Sequence, residues 1–265
     1  MEKCNSCNYS KTNHTNGRLY VIGTGPGSAD NITPAAVNAI KKADVIVGYK
    51  TYLDLIPELI ADKEVFSSSM MQEVDRCKKT LELAENGKQV ALISGGDPGI
   101  YAMAGLIYEL AAEKDSPTHI EVIPGIAAVN GCAARLGAPL MHDFAAISLS
   151  DLLTPWEVIE KRLSAAAEAD FVIAIYNPKS KKRTEHIVKA RELIMAHRNG
   201  NTPVGVVTAC SRDNERITIT DLEHLLEADI NMQSTVIIGN SKTFQWKDCM
   251  ITPRGYADKY SLGTG

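Results

Sequence analysis

Short apolar runs alternate with amphipathic stretches along this chain. RLYVIG (18–23), DVIVGY (44–49), QVALISGG (89–96) and HIEVIPG (119–125) are brief hydrophobic runs bounded by glycine, proline or charge. That pattern predicts buried strands. Between them, PAAVNAIKKA (34–43), EVDRCKKTLELAENG (73–87) and PGIYAMAGLIYELAAE (98–113) carry apolar residues at helical spacing, and IAAVNGCAARLG (126–137) predicts a shorter helix. Thr33-Pro34 and Asp97-Pro98 each read as N-cap followed by proline at N1, which places Tyr101 and Met103 on a helix as core residues. Strands alternating with helices imply a parallel sheet covered on both faces.

The rhythm breaks between Pro139 and Pro155, where periodicity is lost. This predicts a domain boundary near 137–139, with an N-terminal α/β domain over 17–137 and a C-terminal one over 138–258. Residues 1–16 and 259–265 read as tails. In the second half, Thr154-Pro-Trp-Glu157 fits a capping box for the helix at 155–169, and TEHIVKARELIMAHR (184–198) predicts another. DFVIAIYNP, PVGVVTAC, ERITITDL and STVIIGN predict strands. ERITIT follows PVGVV so closely that a mixed sheet is expected. The fold class is therefore α/β, two domains with parallel and mixed sheets.

Composition adds limits. With 45% hydrophobic and 23% charged residues, the chain has the make-up of an ordinary globular protein. A net charge of -4 argues against a nucleic-acid partner, which phosphate neutralisation would favour on a basic surface. No apolar run is long enough to cross a membrane, and a cytoplasmic setting is expected. Cys77, Cys132, Cys210 and Cys249 are scattered as single small hydrophobes. Cys4 and Cys7 form a C-x-x-C with His14 downstream, but a structural zinc site needs a second pair, so a polar tail is expected and no metal.

Three strand ends are glycine-rich: GTGPGS (23–28), SGGDPGIY (94–101) and IPGIAAV (123–129). The first departs from the dinucleotide fingerprint. Its third glycine comes one residue early, Pro26 removes a backbone donor, and the helix start at Thr33 is distant. None has the lysine of a triphosphate loop. Three such loops at the carboxyl ends of parallel strands suit an adenosyl ligand held by main-chain atoms.

In this order and spacing the motifs resemble the tetrapyrrole methylase family, over about residues 17–256. LGAPLMHDFAAISLSDLLTPW (136–156), YNPKSKKR (176–183) and ITPRGY (251–256) resemble its branch that methylates C17 of precorrin-3B or cobalt-precorrin-3B. The resemblance implies S-adenosylmethionine as cofactor, in a cleft between the domains. It implies C-methylation with ring contraction in cobalamin biosynthesis, a tetrapyrrole substrate that carries any cobalt, and a homodimer. It implies that Pro26, Gly95, Gly96, Asp97, Ile100, Ala127 and Ala128 line the cofactor pocket, facing Asn177, Ala209 and Cys210. Many members have Thr or Ser where this chain has Ala127.

Roles beyond the cofactor stay open between two readings. Asp97 either caps a helix or sets a charge beside the cofactor. His142 and Asp143 either serve as acid and base at the substrate or pack the domain junction, and Ser148, Ser150 and Asp151 share that ambiguity. Lys179, Arg183 and Arg254 either bind substrate carboxylates or are solvated charges. Other readings of the chain are a C11 methylase of the same fold, a ribosomal-RNA ribose methylase, a tetrapyrrole-binding protein without catalysis, and a nicotinamide oxidoreductase.

Overall fold

Side chains alternate in direction along the almost wholly buried Arg18–Gly23 (β1), with Leu19 and Val21 on one face of a sheet and Tyr20 and Ile22 on the other. Both faces are apolar because both are covered. The computed structural model describes residues 17–69 and 72–261; the Cys4–Cys7 motif and His14 lie outside them. The chain continues through α1 (Pro34–Lys42), β2 (Val45–Tyr49), α2 (Lys50–Leu53), α3 (Pro57–Ile60), β3 (Glu64–Ser68), α4 (Glu73–Glu85), β4 (Gln89–Ser94), α5 (Ala104–Glu113) and β5 (His119–Ile123). These strands form one parallel sheet in the order β3-β2-β4-β1-β5. Leu19, Val21, Val47 and Leu92 pack under α4 and α5, while Tyr20, Ile22, Ile46 and Ile93 pack under α1. Thr33 caps α1 as expected, accepting the Ala36 amide at 3.1 Å.

The second half comprises α6 (Ala128–Leu136), β6 (Gly137–Ala138), β7 (Phe144–Ser148), α7 (Trp156–Glu168), β8 (Val172–Tyr176), α8 (Glu185–Met195), β9 (Pro203–Thr208), β10 (Arg216–Asp221), β11 (Ser234–Ile238), β12 (Phe244–Trp246), β13 (Cys249–Ile251) and α9 (Tyr256–Lys259). Its main sheet runs β10-β9-β11-β8-β7. Only β7 and β8 are parallel in it, so the expected mixed sheet is present. Helices α7 and α8 cover one face. Helix α6 covers the other, burying Val129, Cys132 and Leu136 against Val172, Ala174 and Ile237. A small sheet, β12-β13-β6, closes the far end of α6.

Two helix starts differ from expectation. Asp97-Pro98 opens a turn, and α5 begins only at Ala104. Tyr101 has φ +52°, which no right-handed helix accepts, so it is neither helical nor core. Met103 does pack against the core. Thr154 caps nothing: Pro155 is extended at the N-cap position, leaving the threonine one residue too early. Strand β7 lies inside the segment that showed no periodicity. Among its residues only Ile147 is buried, so alternation was too weak to signal a strand.

Candidate active site

Strands β4, β1 and β5 end side by side, and their loops meet main chain to main chain. Gly25 N donates to Gly96 O at 3.1 Å and Gly96 N to Gly25 O at 2.7 Å. Thr24 adds its amide and hydroxyl, both on Ser94 O, at 3.0 and 3.2 Å. Asp97 ties in the third loop: Oδ1 accepts Gly99 N at 2.8 Å and Oδ2 accepts Gly125 N at 3.2 Å. Side chains are excluded from the junction, since a Cβ on Gly23 would stand 2.5 Å from Gly96 O and 2.7 Å from Gly125 N. Asp97 is thus a loop tie, and its helix-capping role is corrected to this one.

The second lobe presents the ends of β8 and β9. Asn177, Ala209 and Ser211 have φ of +49°, +53° and +59°, and Tyr101 faces them from the first lobe with +52°. Left-handed backbone at such residues costs about 1–3 kcal/mol each and concentrates at functional sites. The lobes are joined across this line. Within the second half, Tyr176 Oη accepts Val129 N at 3.0 Å, serving a first-turn amide of α6 whose N-cap, Ala127, has no acceptor side chain, and it sets the ring that the first lobe meets. Tyr101 stacks 5.1 Å from Tyr176 and donates its hydroxyl to Ala146 O at 2.9 Å. Arg212 Nε donates to Pro26 O at 3.2 Å. Cys210 Sγ lies 3.7 Å from Ser211 Oγ; the neighbouring Cys132 thiol holds the Cys210 thiol below its ordinary value, and Cys210 together with burial pushes Cys132 up.

Burial pushes the Tyr176 phenol up to about 12 from an ordinary 10.0. The folded state therefore holds this proton more tightly. The resulting stabilisation is complete below pH 10 and is lost as pH rises from 10 through 12. In urea titrations the stability difference between wild type and Tyr176→Phe is expected to shrink over that window; a constant difference would contradict the assignment.

Around Asn177 lies a polar cluster. Its Nδ2 donates to Ser148 Oγ at 3.0 Å, and Ser150 N donates to the same oxygen at 3.2 Å. Arg183 NH2 donates to Asn177 O at 2.9 Å, and NH1 stands 3.7 Å from Asp151. His186 Nδ1 bonds Leu149 O at 2.9 Å, with Nε2 3.6 Å from Asp151 and its ring against Trp156. Arg183 is only 15% exposed, so it is corrected from a candidate carboxylate binder to a brace for the loop. Lys179 stays half-buried on that loop.

Thus Pro26, Gly95, Gly96, Asp97 and Ile100 lie on loops of the first sheet, Ala127 and Ala128 at the start of α6, and Asn177, Ala209 and Cys210 on loops of the second sheet, with Ser150 beside Asn177. His142 and Asp143 do not join them. They are exposed at the amino end of β7, whereas Ser148 at its carboxyl end meets Asn177. Five residues of strand separate the two ends by about 16 Å at 3.3 Å per residue. Arg254 is exposed just past Thr252, which is bonded to Ala138 beyond the far end of α6. Sequence reasoning missed Tyr176, His186 and Arg212. Only Tyr176 had a signal, standing directly before the strand-end Asn177.

Two α/β lobes facing each other across loops built from main chain and small side chains define the class. Residues 18–226 match the model of the Tetrapyrrole (Corrin/Porphyrin) Methylases, and the chain belongs to that family. It is 52% identical over 250 residues to the cobalt-factor III methyltransferase of Priestia megaterium, covering 93% of this chain but 46% of that one. The chain thus spans about half of that relative's length. It is 49% identical to the probable cobalt-factor III C(17)-methyltransferase of Salmonella typhimurium, covering 90% of this chain and 99% of the other. The crystal structure of the methyltransferase CobJ superposes with a TM-score of 0.84 at 36% identity, over 89% of this chain and 100% of that one.

Proposed function

We propose that this protein transfers a methyl group from S-adenosylmethionine to C17 of cobalt-factor III, or its precorrin-3B counterpart, with contraction of the macrocycle, in cobalamin biosynthesis. The observation that carries this reading is the meeting of three glycine loops opposite Asn177 and Ala209–Cys210, in a chain 49–52% identical to proteins named for that reaction. The cobalt form is preferred because those two relatives are named for it.

The residues present fit the cofactor. The three loops contain no lysine or arginine, which suits a nucleoside without phosphates. Gly96 has φ +66°, a backbone conformation that favours glycine, and a Cβ built there would be in contact with the main chain of Ile126, Ala127 and Ala128 at 3.5–3.9 Å, so the loops meet through backbone. Ile100 and Ile126 are partly exposed and offer apolar walls. Bound there, the cofactor supplies an electrophilic methyl group. The chain's task is orientation: Gly95, Gly96, Asp97, Ala127 and Ala128 hold one side, and Asn177, Ala209 and Cys210 the other. Held in line, the reactants lose up to about 7–11 kcal/mol of barrier through proximity alone. Asp97 enters as a positioning residue, and no catalytic role is carried forward for His142 or Asp143. The working form is read as a cytoplasmic homodimer.

Incubation with methyl-labelled S-adenosylmethionine and cobalt-factor III is the test, with the metal-free macrocycle in parallel. Label is expected in the cobalt macrocycle, at C17. Label in neither macrocycle sinks the reading.

A further inference from the structure

Arg76 on α4 is a buried cation, 6% exposed. No carboxylate stands within ion-pair distance of it among the described residues. Its Nε donates to Ser68 Oγ at 2.6 Å and NH2 to Ser69 O at 3.0 Å, while NH1 reaches the Met103 sulfur at 3.6 Å. The Tyr49 ring also faces the guanidinium, 5.9 Å from Cζ, but two neutral oxygens, a thioether and a ring face compensate a buried charge less fully than a carboxylate.

Ser68 Oγ accepts from the guanidinium, which leaves its own proton free to donate. A hydroxyl polarised in this way is a stronger donor. Ser68 opens on a pocket of about 530 Å³ at the carboxyl ends of β2 and β3, whose other walls include Tyr49, Thr51, Ser67 and Ser69. Lys50 also borders it, already paired with Asp54 at 2.7 Å. The pocket adjoins the candidate active site. Strand β2 is the neighbour of β4, and the Tyr52 ring of α2 packs where a Cβ on Gly95 would lie, 2.5 Å away. At about 4.8 Å per strand, the pocket is roughly 5–10 Å from the Ser94–Gly95 loop.

We propose that this pocket is a carboxylate subsite in which the Ser68 hydroxyl, backed by Arg76 and joined by Thr51 and Ser67, takes one peripheral carboxylate of the tetrapyrrole. The inference rests on the substrate class proposed above. A carboxylate reaching the pocket comes either from the macrocycle or from the methionyl end of the cofactor, and the test separates them.

Ser68→Ala, with Arg76→Met as a second variant, is compared with wild type by two measurements. One is fluorescence titration of an octacarboxylate porphyrin, repeated with its amidated form. The other is calorimetry of S-adenosylmethionine. Loss of one charge-assisted hydrogen bond is expected to weaken the octacarboxylate about tenfold. Cofactor affinity should hold, and the amide should bind wild type and Ser68→Ala equally. Equal octacarboxylate affinity in wild type and Ser68→Ala overturns the subsite while leaving the proposed function intact. A fall confined to S-adenosylmethionine overturns the assignment to substrate. A wild type that binds the cofactor but no carboxylated tetrapyrrole overturns the substrate class and the subsite with it.

Discussion

Alanine at position 125 is expected to abolish S-adenosylmethionine binding and to cost about 3 kcal/mol of stability, the upper end for overpacking a rigid site. The added Cβ would sit well inside contact with Gly96 O and 2.7 Å from Gly23 C. Neither neighbour can retreat. Gly96 is held by its reciprocal bonds with Gly25, and Gly23 is the last residue of β1, in register with Ser94 of β4. Gly125 cannot retreat either without stretching its 3.2 Å bond to Asp97. Every atom in the way is backbone, so no side-chain rotation relieves the clash. Gly105→Ala is the control. A Cβ there meets nothing within 4 Å, and the site is helical, so the change should be neutral or stabilise by up to about 1 kcal/mol. Urea midpoints and calorimetry of cofactor binding decide the matter. If Gly125→Ala bound the cofactor within a few-fold of wild type, the three-loop junction would not be what holds it.

The same junction shows why much of the site was legible in the sequence. Buried parallel strands are dense apolar runs, and backbones that touch require glycine, so β1 and β4 announced both their course and their ends. Thr33-Pro34 was equally readable because a cap is a local interaction. The errors fall where a residue's role depends on chain direction or on distant partners. His142 and Asp143 were polar and central in the segment, but β7 is an edge strand with one buried residue, so which end met the cleft was not visible. Arg183 stood in a run of lysines, and nothing local marks the one member that turns inward. Tyr101 followed a good helix start, yet Asp97 spends both oxygens on amides of its own loop and of the β5 loop, which delays the helix to Ala104. Arg76 sat on a well-formed amphipathic helix; only the packing of β3 and α5 around it shows a guanidinium without a carboxylate partner among the described residues.

Arg183 gives the second large effect, because it couples two loops that must keep their relation. Its NH2 holds Asn177 O, whose residue is in the left-handed region, and the Asn177 side chain in turn holds Ser148. A charge-assisted bond of this kind contributes about 1.5–3 kcal/mol. The contact with Asp151, at 3.7 Å to a carboxylate side chain 47% exposed, adds little, about 0–1 kcal/mol. Arg183→Met is therefore expected to cost about 2–3 kcal/mol, and to lower kcat/KM by one to two orders of magnitude as Asn177 loosens. Lysine should not rescue it, since a single ammonium cannot span Asn177 O and Asp151 as the planar fork does. Lys179→Ala on the same loop should change stability by less than about 0.5 kcal/mol, as surface changes usually do. Thermal unfolding of the three variants beside steady-state methyl transfer separates these outcomes. If Arg183→Met kept full stability and raised only the KM for the macrocycle, the guanidinium would be meeting substrate carboxylates directly, and the brace would be the wrong account of it.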